Sequence, residues 1–312
     1  MGDTPPARVA VPWQAQYALL ASIWGLSFML IKIGNETLDP IQVSFGRMIV
    51  GAAVLGAIVL AKRERLPRGL RAWGHILVVS ALFNSIPMTL YAWAETRVSS
   101  IVAGIWNGTT PLFVLIVVLA AFPEERPTRE RIAGIVVGFA GVVVVLGPWS
   151  GLGGQSLAGN LAALAAALCY GLGYPYMRRY VAATRESGLA LSFAQLLCAM
   201  VCLAVVTPLA TEAPSYVSAR SLAAVAALGA FGTGFAYVIH YAILRKVGTT
   251  TASTVTYLIP VVATVAGIVF LGEHLRWNEP IGAVVVLVGV AVTQGRLRYV
   301  PGRTRPSAAG KP

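Results

Sequence analysis

The residues of this chain that could do chemistry are polar and aromatic side chains set inside long apolar runs. In hydrocarbon an unpartnered polar group is costly, so each marks either a helix–helix contact or a water-filled path. Trp24, Ser27 and Phe28 are spaced to share one helical face, as are Tyr170, Gly173 and Tyr174. Both faces join aromatic surface to polar or small positions, as a pocket for an amphipathic solute would. The competing reading is that the rings only pack helices or sit near an interface. Asn84, Met88 and Tyr91 form a second such face, and Thr233, Tyr237 and His240 another. An asparagine deep in a span can instead bond to a neighbouring helix, typically for about 0.6 kcal/mol. His240 belongs to the residue type whose unperturbed pKa, about 6.5, permits proton exchange near neutral pH, although a lone histidine is often a packing residue.

Trp106, Asn107 and Pro111 are matched further along by Val255, Thr256 and Pro260, with Tyr257 adjacent. Proline removes a backbone donor and clashes with the preceding turn, so both helices should bend there and offer free carbonyls or a hinge. Arg47 lies seven residues into its apolar run, roughly 10 Å along a helix. It could hold a solute carboxylate through a bidentate pair, or it could face Glu36, Asp39 or Glu95 and latch one side. The latch is the reading adopted, which groups Arg47 with Pro111 and Pro260 as gating or hinge positions. Lys32 and Arg178, at helix ends, can reach headgroups and complement the helix dipole.

All twelve acids fall in loops, tails or span ends. That argues against ion coupling through a buried carboxylate and against a cationic drug as solute. Glu124 and Glu273, just past two apolar runs, should cap helices or pair with loop arginines. Cys169, Cys198 and Cys202 have no metal-ligand partners at suitable spacing and read as packing residues, so neither metal nor cofactor is expected. An enzyme would need a nucleophile with its base, paired acids or clustered ligands, and none is present. A passive channel stays open as an alternative, because sequence does not show whether two gates can open together.

The elements that must position these residues are set by a composition 57% hydrophobic and 12% charged. A helix needs about 20 apolar residues to cross roughly 30 Å of hydrocarbon. Ten runs qualify: Gln14–Ile33, Pro40–Ala61, Trp73–Ala94, Ser100–Phe122, Ile132–Leu146, Leu157–Met177, Gly188–Ala210, Leu222–Leu244, Thr249–Leu271 and Ile281–Thr293. The net charge of +12 would suggest nucleic acid in a soluble chain. Here the cations sort by side of the membrane. One side holds Arg8, the Lys62–Arg71 cluster, Arg126, Arg129, Arg131, Arg178, Arg179, Arg185, Arg245, Lys246 and the C-terminal tail; the other holds Arg97, Arg220 and Arg276. This predicts cytoplasmic termini and excludes nucleic acid as a partner. The first run is long enough to span and lacks a convincing cleavage site, so it should be retained.

The chain repeats itself. A shift of about 149 positions carries Arg97 onto Lys246, Asn107 onto Thr256, Pro111 onto Pro260 and Glu124 onto Glu273. Trp24 to Phe28 and Lys32 fall on Tyr170 to Tyr174 and Arg178, and Phe45 and Arg47 on Phe193 and Gln195. Asn84, Met88 and Tyr91 fall on Thr233, Tyr237 and His240, while Gly134 and Gly141 match Gly282 and Gly289. Repeats with an odd number of spans must be inverted in the membrane, which gives two gates related by symmetry around a central site. The expected layout is a cytoplasmic segment 1–13, a first repeat 14–147, an outer linker 148–156, a second repeat 157–295 and a disordered basic tail 296–312.

The WGLSF of the first run, the FGR of the second, the mid-helix prolines of the fourth and ninth, and LGEHL after the ninth together resemble the EamA branch of the drug/metabolite transporter superfamily. The resemblance covers residues from about Gln14 to Gly295, with one departure, FPEER where the second half reads LGEHL. It implies an inner-membrane carrier, commonly an exporter of amino acids or other small metabolites. The expected fold is all-α, ten transmembrane helices in two inverted five-helix repeats. Helices one, three, four, six, eight and nine would line the cavity, and Gly134, Gly138 and Gly141 would form a close-packing seam. The expected partners are a small-molecule solute and the bilayer, with a monomer or weak homo-oligomer as the assembly.

Overall fold

A computed structural model describes residues 12–122, 124, 128–148, 156–181 and 186–295, except for the side chains of 248–254. Expectations about the outer linker, the basic tail, most of the N-terminal segment and most of FPEER fall outside these residues. The described residues are helical with no strand: α1 Trp13–Gly34, α2 Pro40–Ala61, α3 Leu70–Ser80, α4 Ile86–Glu95, α5 Ser100–Asn107, α6 Thr110–Ala121, α7 Arg129–Leu146, α8 Leu157–Tyr180, α9 Gly188–Ala210, α10 Ala219–Gly229, α11 Ala236–Ala252, α12 Ile259–Leu271 and α13 Asn278–Thr293. A single widened turn joins α3 to α4 at Ala81–Ser85 and α10 to α11 at Ala230–Phe235, so each pair forms one long interrupted rod.

Local chemistry sets the starts of these helices. Asp39 caps α2 by accepting from the Ile41 N–H at 2.8 Å, while Gln42 Oε1 accepts from the Asp39 N–H at 3.0 Å. Ser99, Thr128, Ser156, Ser187 and Ser218 each accept a backbone N–H at the start of α5, α7, α8, α9 and α10. The expected proline bends are true interruptions. α5 stops at Asn107 and α6 restarts at Thr110 with Pro111 in its first turn, and a 3₁₀ turn at Ser253–Tyr257 precedes α12 and Pro260. At the break the Trp106 carbonyl accepts both the Thr109 N–H at 3.0 Å and the Thr109 hydroxyl at 2.7 Å.

Seven helical stretches are long and apolar enough to cross a bilayer: Trp13–Gly34, Pro40–Ala61, Leu70–Glu95, Ser100–Ala121, Leu157–Tyr180, Gly188–Ala210 and Ala219–Val247. Three remaining apolar segments fall short of that standard for identifiable reasons. α7 opens with Arg129, Glu130 and Arg131, and Val255–Leu271 and Asn278–Thr293 are shorter. α7 and α13 pack together through the expected glycines, so closely that a Cβ on Gly289 would lie 2.4 Å from the Gly138 amide nitrogen. Leu60 and Leu209 are 76% and 82% exposed, and Val136, Val269 and Phe270 are exposed too. Large apolar side chains outside and packed rings inside suit lipid as the surrounding solvent.

Candidate functional site

Between these rods lies a cavity of about 440 Å³, within the size range of small-molecule sites. α1 contributes Trp24, Ser27 and Phe28 to its wall, α4 Tyr91, α5 Asn107, α8 Tyr170 and Tyr174, α11 Tyr237 and His240, and the turn before α12 Thr256. The rings form a connected set. Phe28 meets Tyr91 edge-on with centroids 5.4 Å apart, Tyr91 stacks on Tyr170 at 6.3 Å, and Phe83 meets Tyr174 edge-on at 4.8 Å. Asn107 donates to the Tyr91 hydroxyl at 3.3 Å. His240 lies against Trp24 at 5.3 Å, and its Nδ1 is buried with no partner among the described residues.

Three residues expected on the wall sit behind it. Asn84, fully buried in the widened turn, accepts from the Tyr237 hydroxyl at 2.8 Å and so orients a ring that does face the cavity. Trp106 is also fully buried and donates to Asn160 Oδ1 at 2.8 Å, tying α5 to α8. Tyr257 packs beside the main apolar core. In each case spacing gives the face of a helix but not how far the neighbouring helix covers it.

Arg47 departs from the expected latch. It is 7% exposed and faces the cavity. Its Nε donates to Thr233 Oγ1 at 2.8 Å and its Nη2 to the Gly232 carbonyl at 3.3 Å, with no ion pair among the described residues to Glu36, Asp39 or Glu95. The second and seventh apolar runs therefore contribute to the wall, through Arg47 and through Leu191, Ser192 and Gln195, where only scaffold was expected. Thr110, Phe83 and Glu186 also line it without having been singled out from sequence. The correspondence of Arg47 with Gln195 was the available signal for the seventh run.

The cavity is closed at one end. Lys32 Nζ donates to the Glu95 and Val98 carbonyls, the latter at 2.8 Å, and Asn35 Nδ2 donates to the Ala92 carbonyl at 2.7 Å. Gly272 holds φ at +64° just after α12, a left-handed turn natural to glycine. Glu273 beyond it takes the Ser100 N–H at 2.9 Å, the Ser100 hydroxyl at 2.8 Å and the Ile101 N–H at 3.2 Å. A carboxylate from the far half of the chain thus caps the positive start of α5. It bonds backbone rather than a loop arginine, and its counterpart Glu124 is exposed. Beneath lie Val43, Val98, Ile101, Val225 and Leu228, all buried, together with Glu95, which is 0% exposed. At the other end the wall runs out to Val181, Glu186 and Gly188, with Tyr241 and Leu244 opposite.

Comparison with known proteins places this geometry. The model of the EamA-like transporter family matches residues 13–147 and again 157–294. An uncharacterized transporter of Archaeoglobus fulgidus is 31% identical over 286 residues, covering 88% of this chain and 96% of the relative. The uncharacterized inner membrane transporter YedA of Escherichia coli is 27% identical over 299 residues, covering 94% of each. A crystal structure at 23% identity superposes with a TM-score of 0.64 over 92% of this chain and 99% of its own, a likeness of fold.

Proposed function

The chain belongs to the EamA-like transporter family of multi-pass membrane transporters, and from that premise we propose that it is a carrier working by alternating access. Two inverted five-helix repeats, 14–147 and 157–295, rock around the aromatic cavity and expose it to one side at a time. The observation that carries this reading is the asymmetry of the cavity, which reaches Val181, Glu186 and Gly188 at one end and is stitched shut beside Glu95 and Glu273 at the other. Two further features support it. The widened turns at Ala81–Ser85 and Ala230–Phe235 sit at corresponding places in the two halves, each contributing a polar residue that bonds a cavity side chain. Such turns recur at functional sites. The interruptions before Pro111 and Pro260 correspond in the same way and supply hinges.

Most loop cations lie at the end the cavity reaches, Lys62 to Arg71, Arg178, Arg179, Arg245 and Lys246 among them, so this end is cytoplasmic in the proposed orientation. The carrier then stands open to the cell interior. Its solute is a small amphipathic metabolite such as an amino acid, moved outward, with Trp24, Phe28, Tyr91 and Tyr170 as its apolar bed. Counterflow in liposomes tests the mechanism, since acceleration of labelled-solute entry by unlabelled solute inside requires a carrier, whereas a passive channel shows none. Excretion by an overproducing strain tests the solute class, which fails if amino-acid excretion and tolerance match an empty-vector strain.

A further inference from the structure

The fork of Arg47 has one edge spoken for and one edge idle. Nε and Nη2 are held by Thr233 and the Gly232 carbonyl, and Nη1 has no acceptor among the described residues. Both partners are neutral. A cation enclosed among apolar groups ordinarily lies beside an anion, because its loss of hydration must be offset. The described wall holds one carboxylate, Glu186, which precedes Gln195 on α9 by nine residues, roughly 13 Å along a helix, and so stands at the mouth rather than beside Arg47. Glu95, buried beneath the seal, does not line the cavity and makes no hydrogen bond or ion pair with Arg47, although its charge is near enough to act on the guanidinium.

We propose that the missing counter-ion is the solute itself, a monocarboxylate whose head pairs with the idle edge of Arg47 and whose apolar body lies among the rings. This rests on the carrier reading above and adds the charge of the cargo to it. The geometry suits the chemistry in three ways. The hydrogen bonds to Thr233 and Gly232 fix the plane of the guanidinium, which is what recognition of a planar anion needs. Gly232 also leaves room at the spot, since a Cβ there would stand 2.9 Å from Ser27 Oγ and 3.7 Å from Arg47 Nη2. A single cation balances a single charge, so a phosphate dianion would bring one charge too many into a low-dielectric chamber. The ammonium of an amino acid is not excluded, because ring faces can receive it, but the wall near Arg47 offers it no carboxylate.

The test is a charge series of nearly equal shape on the purified full-length protein, read by tryptophan fluorescence or thermal shift: phenylpropionate, phenylpropanamide, phenethylamine and phenyl phosphate. The carboxylate should bind at least tenfold more tightly than the neutral amide, and the amine and the phosphate more weakly than the carboxylate. Arg47→Lys should weaken the carboxylate about tenfold while keeping its lead over the amide, and Arg47→Met should erase that lead. Equal binding of acid and amide, tighter binding of amine or phosphate, or no binding of any of the four overturns the proposal. The wild-type series decides even if a variant fails to fold. Counterflow and thiol accessibility at position 170 report alternating access independently, so a failed charge series alongside intact switching removes the carboxylate and leaves the carrier standing.

Discussion

At one end of the cavity Lys32, Asn35, Gln42, Ser221 and Glu273 each bond to backbone or side chains in a distant part of the sequence. At the other end several cations rest on ring faces, as Arg97 does over Trp93 at the sealed end. Arg178 lies 5.2 Å over Phe122, Arg179 5.6 Å over Tyr180 and Arg245 6.0 Å over Tyr241. Lys32 and Arg178 occupy matching places in the two halves, and so do Glu273 and Glu124. The matching parts therefore meet different surroundings at the two ends: Lys32 and Glu273 reach the backbone of other helices, whereas Arg178 lies over a ring and Glu124 is exposed. The seal consists of helix termini satisfied by side chains from other helices, Glu273 and Ser221 among them from the opposite half, a few directional bonds over an apolar plug. Such a closure is specific, yet it can be undone by moving a handful of groups.

Several substitutions would break or sharpen this contrast. Glu273→Gln should have the largest effect, because it removes the charge from the cap on α5 and leaves one oxygen where two served three donors. The loss should be about 2 kcal/mol, roughly a thirtyfold shift away from the sealed form, read as faster thiol labelling at Ile31→Cys from that end. Lys32→Met should act in the same direction by about 1 kcal/mol, since two carbonyls lose their donor. Arg178→Met should act on the end the cavity reaches, slowing its closure without unsealing the opposite one. Its readout is the spin-label distance between Met177→Cys and Leu244→Cys under counterflow conditions. Separating Arg220 from Glu36, 3.4 Å apart with side chains 62% and 39% exposed, should change closure by under about 1 kcal/mol.

Much of this contrast could be read from sequence, though unevenly. Helix faces were legible where period and residue type agree, so Trp24, Ser27, Phe28, Tyr91, Tyr170, Tyr174, Tyr237 and His240 all fall on one cavity wall. The depth of Arg47 was legible, but its partner was not. Thr233 and Gly232 sit in a widened turn with no sequence signature of its own, and that turn decides which way they point. Asn84 and Trp106 illustrate the same limit, since a polar group inside a span declares that it needs a partner without declaring which. Sequence places Glu95 at a span end, and packing buries it completely there. Glu273 was legible as a capping residue just past an apolar run, but the Ser100 and Ile101 amides that it reaches belong to the other half of the chain.

The most direct measurement places a cysteine at position 170 in protein whose Cys169, Cys198 and Cys202 have been replaced, and applies a membrane-impermeant maleimide separately to right-side-out and inside-out vesicles. Labelling should come from the face bearing Lys62, and adding Glu273→Gln should open the site to the opposite face as well. Labelling from neither face, or a pattern indifferent to Glu273, would contradict a chamber whose access is governed by that seal.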